Sequence, residues 1–323
     1  MAVSTHELGG GTTSRMSIPV QQQMPADVET APAGADIRQE PRWYQGRQFQ
    51  GNLQVWILRI VVWAIIALVM FPVIYVVMTS FKADGRSLNA TTLFPREYTL
   101  DLYRQLLSGQ SNFLRWVGNS LIMGLTAGVA QVVFATFGGY AFSRMRFPGR
   151  KHGILFLLVI QMLPVNMAVV AYYRMLAWAG LTNTRTGIIL ILGFGGSALS
   201  VWLMKNFVDS IPKDLDEASY LDGGSHWTTF WRVIFPLVQP MLVAQFIFGF
   251  IGVYNEYILT SILIADDRLY PLGVGVRTLS TAVSTSWTLF CAAAVLGSIP
   301  ILIVFFLAQR FLVEGLTRGA VKG

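Results

Sequence analysis

From about residue 53 to the C-terminus, long apolar runs alternate with short polar stretches. A helix needs about 20 apolar residues to cross the hydrocarbon core of a bilayer. Stretches of that length begin at Leu53 (LQVWILRIVVWAIIALVMFPVIYVVMTSF), Trp116 (WVGNSLIMGLTAGVAQVVFATFGGYAF) and Gly153 (GILFLLVIQMLPVNMAVVAYYRML). Others begin at Thr186 (TGIILILGFGGSALSVWLMKNF), Pro236 (PLVQPMLVAQFIFGFIGVYNEYILTSILI) and Leu289 (LFCAAAVLGSIPILIVFFLAQRF). Pro164 should kink the third. Gly138, Gly139, Gly195, Gly196 and the alanines 292–294 permit close helix packing in lipid. The pattern predicts an all-α membrane protein, a bundle of six transmembrane helices.

Composition agrees: 54% of the 323 residues are hydrophobic and 13% charged, against about a quarter charged in soluble domains. The net charge of +7 does not imply a nucleic-acid partner, because the basic residues fall between apolar runs instead of forming one face. The lone Cys291 excludes an internal disulfide and a cysteine metal cluster. His6, His152 and His226 are too scattered for a metal site.

Short-loop charge sets orientation. The loop SRMRFPGRKHG carries Arg144, Arg146, Arg150 and Lys151 with no acid, so it should be cytoplasmic, and alternation then puts both termini inside. Arg310, Arg318 and Lys322 agree. Lys82, Arg86, Arg96, Arg104 and Arg115 after the first span point the other way, but that loop is longer and mixed with Asp84, Glu97 and Asp101. Residues 1–50 are polar, without the apolar core of a cleaved signal peptide, and are expected as a disordered cytoplasmic tail. Residues 51–323 then form the transmembrane domain.

Between the fourth and fifth spans lies PKDLDEASYLDGGSHWTTFWRVIFPL. Pro212 can open a short helix, in which Asp214, Asp216 and Glu217 favour the positive end of the dipole. Gly223 and Gly224 end it. Ser225 can cap a second helix that places Trp227, Phe230, Trp231 and Ile234 at helical spacing. An exposed apolar stripe calls for a partner, unless the loop packs on its own bundle.

Here the sequence resembles the EAA loop of ABC-importer permeases: Glu-Ala-Ala, three residues, Gly, nine residues, Ile-x-Leu-Pro. Glu217, Ala218, Gly223 and Pro236 match in full spacing, while Ser219, Val233 and Phe235 replace the second alanine, the isoleucine and the leucine. YAFSRMRFPGR, LAQRFLVEGLTRGAVKG and the order of spans from about Leu53 are similar to maltose and maltodextrin permeases of the MalG type. The tail of residues 1–50 is longer than that resemblance accounts for.

The resemblance implies a type I ABC-importer permease of a prokaryotic cytoplasmic membrane, moving a maltose-like oligosaccharide. It implies a second, MalF-like permease, two ATPase subunits holding ATP and Mg, and an external solute-binding protein. This chain would be no enzyme and carry no cofactor. It contains no G-x-x-x-x-G-K-[ST] phosphate loop, and its spans hold no His or Asp for intramembrane hydrolysis. The loop of about residues 209–235 would couple to the ATPase through Glu217, Ala218, Ser219, Asp222 and Gly223, with Pro236 joining it to the fifth span. Gly315, Thr317 and Gly319 would form a C-terminal ATPase contact, and Tyr270, Pro271 and Leu272 a contact with the binding protein.

Polar groups within spans are candidates for the path: Asn119, Gln161, Asn166, Tyr254, Asn255 and Glu256. They can bond sugar hydroxyls, or one another between helices. Trehalose or glycerol phosphate are alternative cargoes of related families. A phosphate-bearing cargo would need basic path residues, and the clear basic group within a span is Arg59, near the cytoplasmic start of the first, with Arg174 near the outer end of the third.

Overall fold

The computed structural model describes residues 42–83, 94, 97–109, 111–162, 165–279 and 286–320, with side-chain detail for 55–83, 94, 97–109, 111–162, 167–279 and 286–311. The tail expected over residues 1–50 lies outside these up to residue 41. Residues 42–50 are helical instead, the start of α1 (Arg42–Ser80). Pro41 is the last proline before Pro72, so no residue between them lacks a backbone donor.

The chain divides into two compact units, residues 1–65 and 66–323. In the first, the Arg59 guanidinium lies 5.1 Å from the Trp56 ring centroid. In the second, the apolar side chains of α1 from Ile66 to Ile74 are exposed, as a surface solvated by lipid allows. Then come α2 (Asp101–Leu107) and α3 (Phe113–Arg144). After them are α4 (Arg150–Gln161), α5 (Val169–Trp178), α6 (Arg185–Gly195) and α7 (Ser197–Asp209). The short α8 (Asp214–Leu221) and α9 (His226–Thr229) precede α10 (Phe235–Tyr254). The chain closes with α11 (Ile258–Leu263), α12 (Leu272–Thr278) and α13 (Trp287–Ala320).

Among the described residues, five stretches are long and apolar enough to cross a membrane: Val55–Ser80, Phe113–Arg144, Arg185–Asp209, His226–Tyr254 and Trp287–Phe311. The expected third span is instead two helices of 12 and 10 residues, α4 and α5, with a 3-10 turn at Val165–Ala168 before α5. The kink expected at Pro164 falls on residues outside those described.

Helix α3 is central, packing on α6, α7, α10 and α12. Its glycines make this possible. A Cβ on Gly139 would stand 2.5 Å from Met204 Cγ and 2.9 Å from the Lys205 nitrogen. The backbones of α3 and α7 are therefore as close as a missing side chain permits. Three apolar clusters result. One joins Phe113 and Trp116 to Phe250, Tyr254 and Ala292, and a second joins Met123 to Ile188 and Leu259. A third joins Ala135 and Tyr140 to Met204, Phe230 and Ile234.

Candidate coupling loop and polar groove

The eight-residue α8 ends as its sequence dictates. Gly223 takes a positive φ of 80°, its N–H bonds Tyr220 O at 3.0 Å, and the Gly224 N–H bonds Ser219 O at 2.8 Å. This is a Schellman ending. Gly223 is needed for its left-handed backbone, Gly224 because a Cβ there would meet Ser219 O at 2.7 Å. Ser225 then caps α9, its Oγ accepting from the Thr228 N–H at 3.3 Å.

The expected second helix does not stop before the fifth span. Helix runs unbroken from His226 to Tyr254, passing through a π turn at Phe230–Ile234 in which the Phe235 N–H donates to Phe230 O. Pro236 has no N–H, so Arg232 O loses its usual i+4 donor. A widened turn just ahead of the proline accommodates that loss without ending the helix. Pro236 thus lies inside one continuous rod.

Glu217, Ala218, Asp222 and Gly223 are exposed and Ser219 is half-buried. Leu221 beside them is 89% exposed, so this face presents two carboxylates around an apolar knob. The expected apolar stripe divides in two. Phe230 and Ile234 are buried in the third cluster, whereas Trp227 and Trp231 remain exposed.

Beneath that face is an ionic anchor that sequence reasoning missed. Asp216 is buried, and its Oδ2 lies 2.8 Å from Arg144 Nε at the end of α3. Arg144 Nη2 also donates to Ile211 O at 2.7 Å. Burial pushes the Asp216 carboxyl above its usual range, and the Arg144 guanidinium opposes that push. Next to it, Ser143 Oγ donates to Asp209 Oδ1, and Lys205 Nζ lies 2.6 Å from Asp209 Oδ2. The Tyr140 hydroxyl donates to His226 O at 3.3 Å. Helix α8 is thereby tied to α3, which is itself bonded to α7 through Asp209 and to α9 through His226. Arg144 had counted only as a topology charge. The available signal was a second acid immediately before Glu217, about 100° round the helix from it and therefore on a different face.

The remaining candidates fall in different places. Gly315, Thr317 and Gly319 lie on the helical path of α13, but their side chains and contacts are outside the described residues, as is the side chain of Asn166. Pro271 and Leu272 are buried. The Leu272 N–H donates to Ser120 Oγ at 2.8 Å, so these two residues face the bundle. Tyr270 is half-buried, and the exposed residues nearby are Ala265, Asp267 and Arg268.

Asn119 is buried and its Nδ2 donates to Arg268 O and Tyr270 O, each at 2.9 Å. It pins the loop before α12 to α3. Tyr254 is buried with its hydroxyl donating to Gly297 O at 2.9 Å. With the exposed Asn255 it borders a cavity of about 580 Å³ between α10, α12 and α13. Gln161 and Glu256 instead meet in a separate groove of about 500 Å³, alongside Gln131, Tyr172, Gln245 and Phe248. The path candidates with described side chains thus fall in separate places, Tyr254 and Asn255 on the first cavity and Gln161 and Glu256 on the second.

Comparison with known proteins gives this arrangement a family. Residues 49–318 match the model of the binding-protein-dependent transport system inner membrane component. The chain is 35% identical over 277 residues to the maltose/maltodextrin permease MalG of Escherichia coli K12, covering 80% of this chain and 92% of that one. It is 33% identical over 256 residues to the maltodextrin permease MdxG of Bacillus subtilis 168, with 79% and 91% covered. It is 34% identical over 259 residues to the galactooligosaccharides permease GanQ of the same organism, with 79% and 91% covered. A bacterial ABC transporter involved in alginate import shares the fold at TM-score 0.67 and 22% identity, over 84% of this chain and 99% of that one. The chain belongs to the family of binding-protein-dependent transport system inner membrane components, and is a multi-pass permease subunit of an ABC importer.

Proposed function

We propose that this chain and a second, MalF-like permease form the path by which a maltose-like oligosaccharide crosses the cytoplasmic membrane. Two ATPase subunits hydrolyse ATP, and an external solute-binding protein delivers the sugar. The chain crosses six times, α4 and α5 together making the third crossing, with both termini and α8 on the cytoplasmic side. Glu217, Ala218, Leu221, Asp222 and Gly223 form the surface that docks on an ATPase subunit. The observation that carries this reading is the exposed α8 face standing on the buried Arg144–Asp216 pair. Force applied at α8 is delivered to α3 through that pair, and to the fifth span through the unbroken helix from His226 to Tyr254. Closure of the ATPase pair can thus be converted into alternating access by rigid-body motion. Gly315, Thr317 and Gly319 are proposed as a second ATPase contact, and the loop around Asp267 and Tyr270 as the side facing the binding protein.

Maltodextrins are the cargo named for MalG and MdxG, whereas GanQ is named for galactooligosaccharides. Purification through this chain should bring down a second permease and an ATPase. In vesicles, the ATPase should be stimulated by binding protein with maltodextrin and not by glycerol phosphate. Stimulation by galactooligosaccharides alone would move the cargo to the second sugar class. A preparation without any ATPase subunit would sink the coupling role.

A further inference from the structure

In a membrane-spanning bundle, polar side chains are normally consumed by neighbouring helices, because lipid offers them no partners. Asn119 obeys this rule, and so does Gln131, whose Nε2 donates to Leu192 O at 2.8 Å. The groove beside α10 breaks it. The Gln161 amide and Tyr172 hydroxyl make no hydrogen bond among the described residues. Gln245 is buried, donates through Nε2 to Ser200 O at 3.1 Å, and has an Oε1 without a partner. Glu256 Oε1 caps α11 by accepting from the Leu259 N–H at 2.7 Å, which leaves Oε2 free among the described residues. On the same groove Phe248 is 76% exposed. Gly252, also on the wall, has no atom within 4 Å of the Cβ position, so the backbone lies open to a ligand.

An aromatic face surrounded by uncommitted amides, a hydroxyl and a carboxylate suits a molecule with apolar ring faces and a rim of hydroxyls. Among the described residues Glu256 is the single charged one lining the groove, and a carboxylate there repels an anionic cargo. We propose that this groove is a contact site for an uncharged oligosaccharide, with a sugar ring against Phe248 and hydroxyls bonded by Glu256, Gln161 and Gln245. The proposal rests on the permease reading but goes further: it gives this chain its own sugar contact and excludes acidic saccharides from it.

The test is equilibrium binding to the complete transporter in nanodiscs, without the binding protein. The probes are maltohexaose and an oligouronate of matched length. The wild-type complex should bind maltohexaose and discriminate against the oligouronate. Phe248→Ala should weaken maltohexaose about fivefold, and Phe248→Trp should restore it. Glu256→Gln keeps an oxygen to cap α11 but removes the charge, so it should narrow the preference for the neutral probe about fivefold. Wild-type binding of both probes by Phe248→Ala and Glu256→Gln would overturn the groove assignment, as would failure of Phe248→Trp to restore affinity. Uptake by the wild-type complex in vesicles separates the two levels. Uptake with unaffected variants defeats only the groove, whereas a complex that neither assembles nor transports defeats the permease reading.

Discussion

Polar side chains do opposite work at the two places where this bundle concentrates them. At the α8 end they are committed to one another. Asp216 faces Arg144, Ser143 and Lys205 hold Asp209, and Tyr140 holds the start of α9. In the groove beside α10, Gln161, Tyr172 and part of Glu256 are uncommitted among the described residues. Gln161 is exposed and Tyr172 and Glu256 are half-buried, so their polar atoms are open to a molecule that enters the groove, whereas Arg144 and Asp216 are closed off from solvent and have each other. Under the proposed function, the first region would transmit a displacement without deforming and the second would exchange partners.

The largest test of that contrast is Arg144→Leu. It strands the Asp216 carboxylate in a site where both partners are at most 7% exposed, and breaking such a pair costs about 3–5 kcal/mol. A large fall in the thermal midpoint of the purified complex is expected. Arg144→Leu combined with Asp216→Leu should recover most of it, because no charge then remains buried. A single variant as stable as wild type would show that the α8 end is not locked.

A pair of glycines measures the same difference in packing. Gly139→Ala forces a methyl group against Met204 and the α7 backbone, an overpacking of about 2 kcal/mol. Gly252→Ala meets no atom within 4 Å, and alanine's better helix propensity makes a neutral or slightly stabilising effect expected, up to about 1 kcal/mol. Equal thermal shifts for the two would erase the distinction between closed seam and open wall.

How much of this could be read from the chain follows from the range of each interaction. The crossing helices, the glycine turn after Asp222 and the cap at Ser225 are local matters of hydropathy, φ and neighbouring donors, and the sequence displays all three. The division of the candidate polar residues was not legible. Asn119 and Glu256 look alike in an apolar run, yet one bonds carbonyls about 150 positions away while the other faces a groove. Such partners depend on which helices become neighbours, as does the Arg144–Asp216 pair, whose members lie 72 positions apart by their numbers, 216 minus 144. The continuity of α9 into α10 was missed for a different reason. A proline reads as a break, and the π turn that absorbs Pro236 has no sequence signature of its own.

Gly223 separates stability from coupling. A β-branched side chain at φ 80° costs about 1–2 kcal/mol of local strain, and open space around the position spares the bundle. Gly223→Val should therefore leave the thermal midpoint nearly unchanged but lower sugar uptake per ATP hydrolysed in vesicles. Gly223→Asn, which tolerates the left-handed region, should fall between. Unaltered uptake per ATP in Gly223→Val would remove the coupling role from this turn.

The smallest effect is expected at Ser225, where the long 3.3 Å bond from the exposed Thr228 N–H puts the cap at the weak end of its range. Ser225→Ala should cost about 0.5 kcal/mol, too little to move the global midpoint. It should instead appear as faster amide exchange over residues 226–229, because helix ends open locally before the bundle does. Phe230 and Ile234 are buried in the core just beyond, so the acceleration should stop at the π turn. Exchange spreading into α10 would mean that the loop and the fifth span open together. The rod proposed to carry force from α8 would then be less rigid than the anchor of α8 on Arg144.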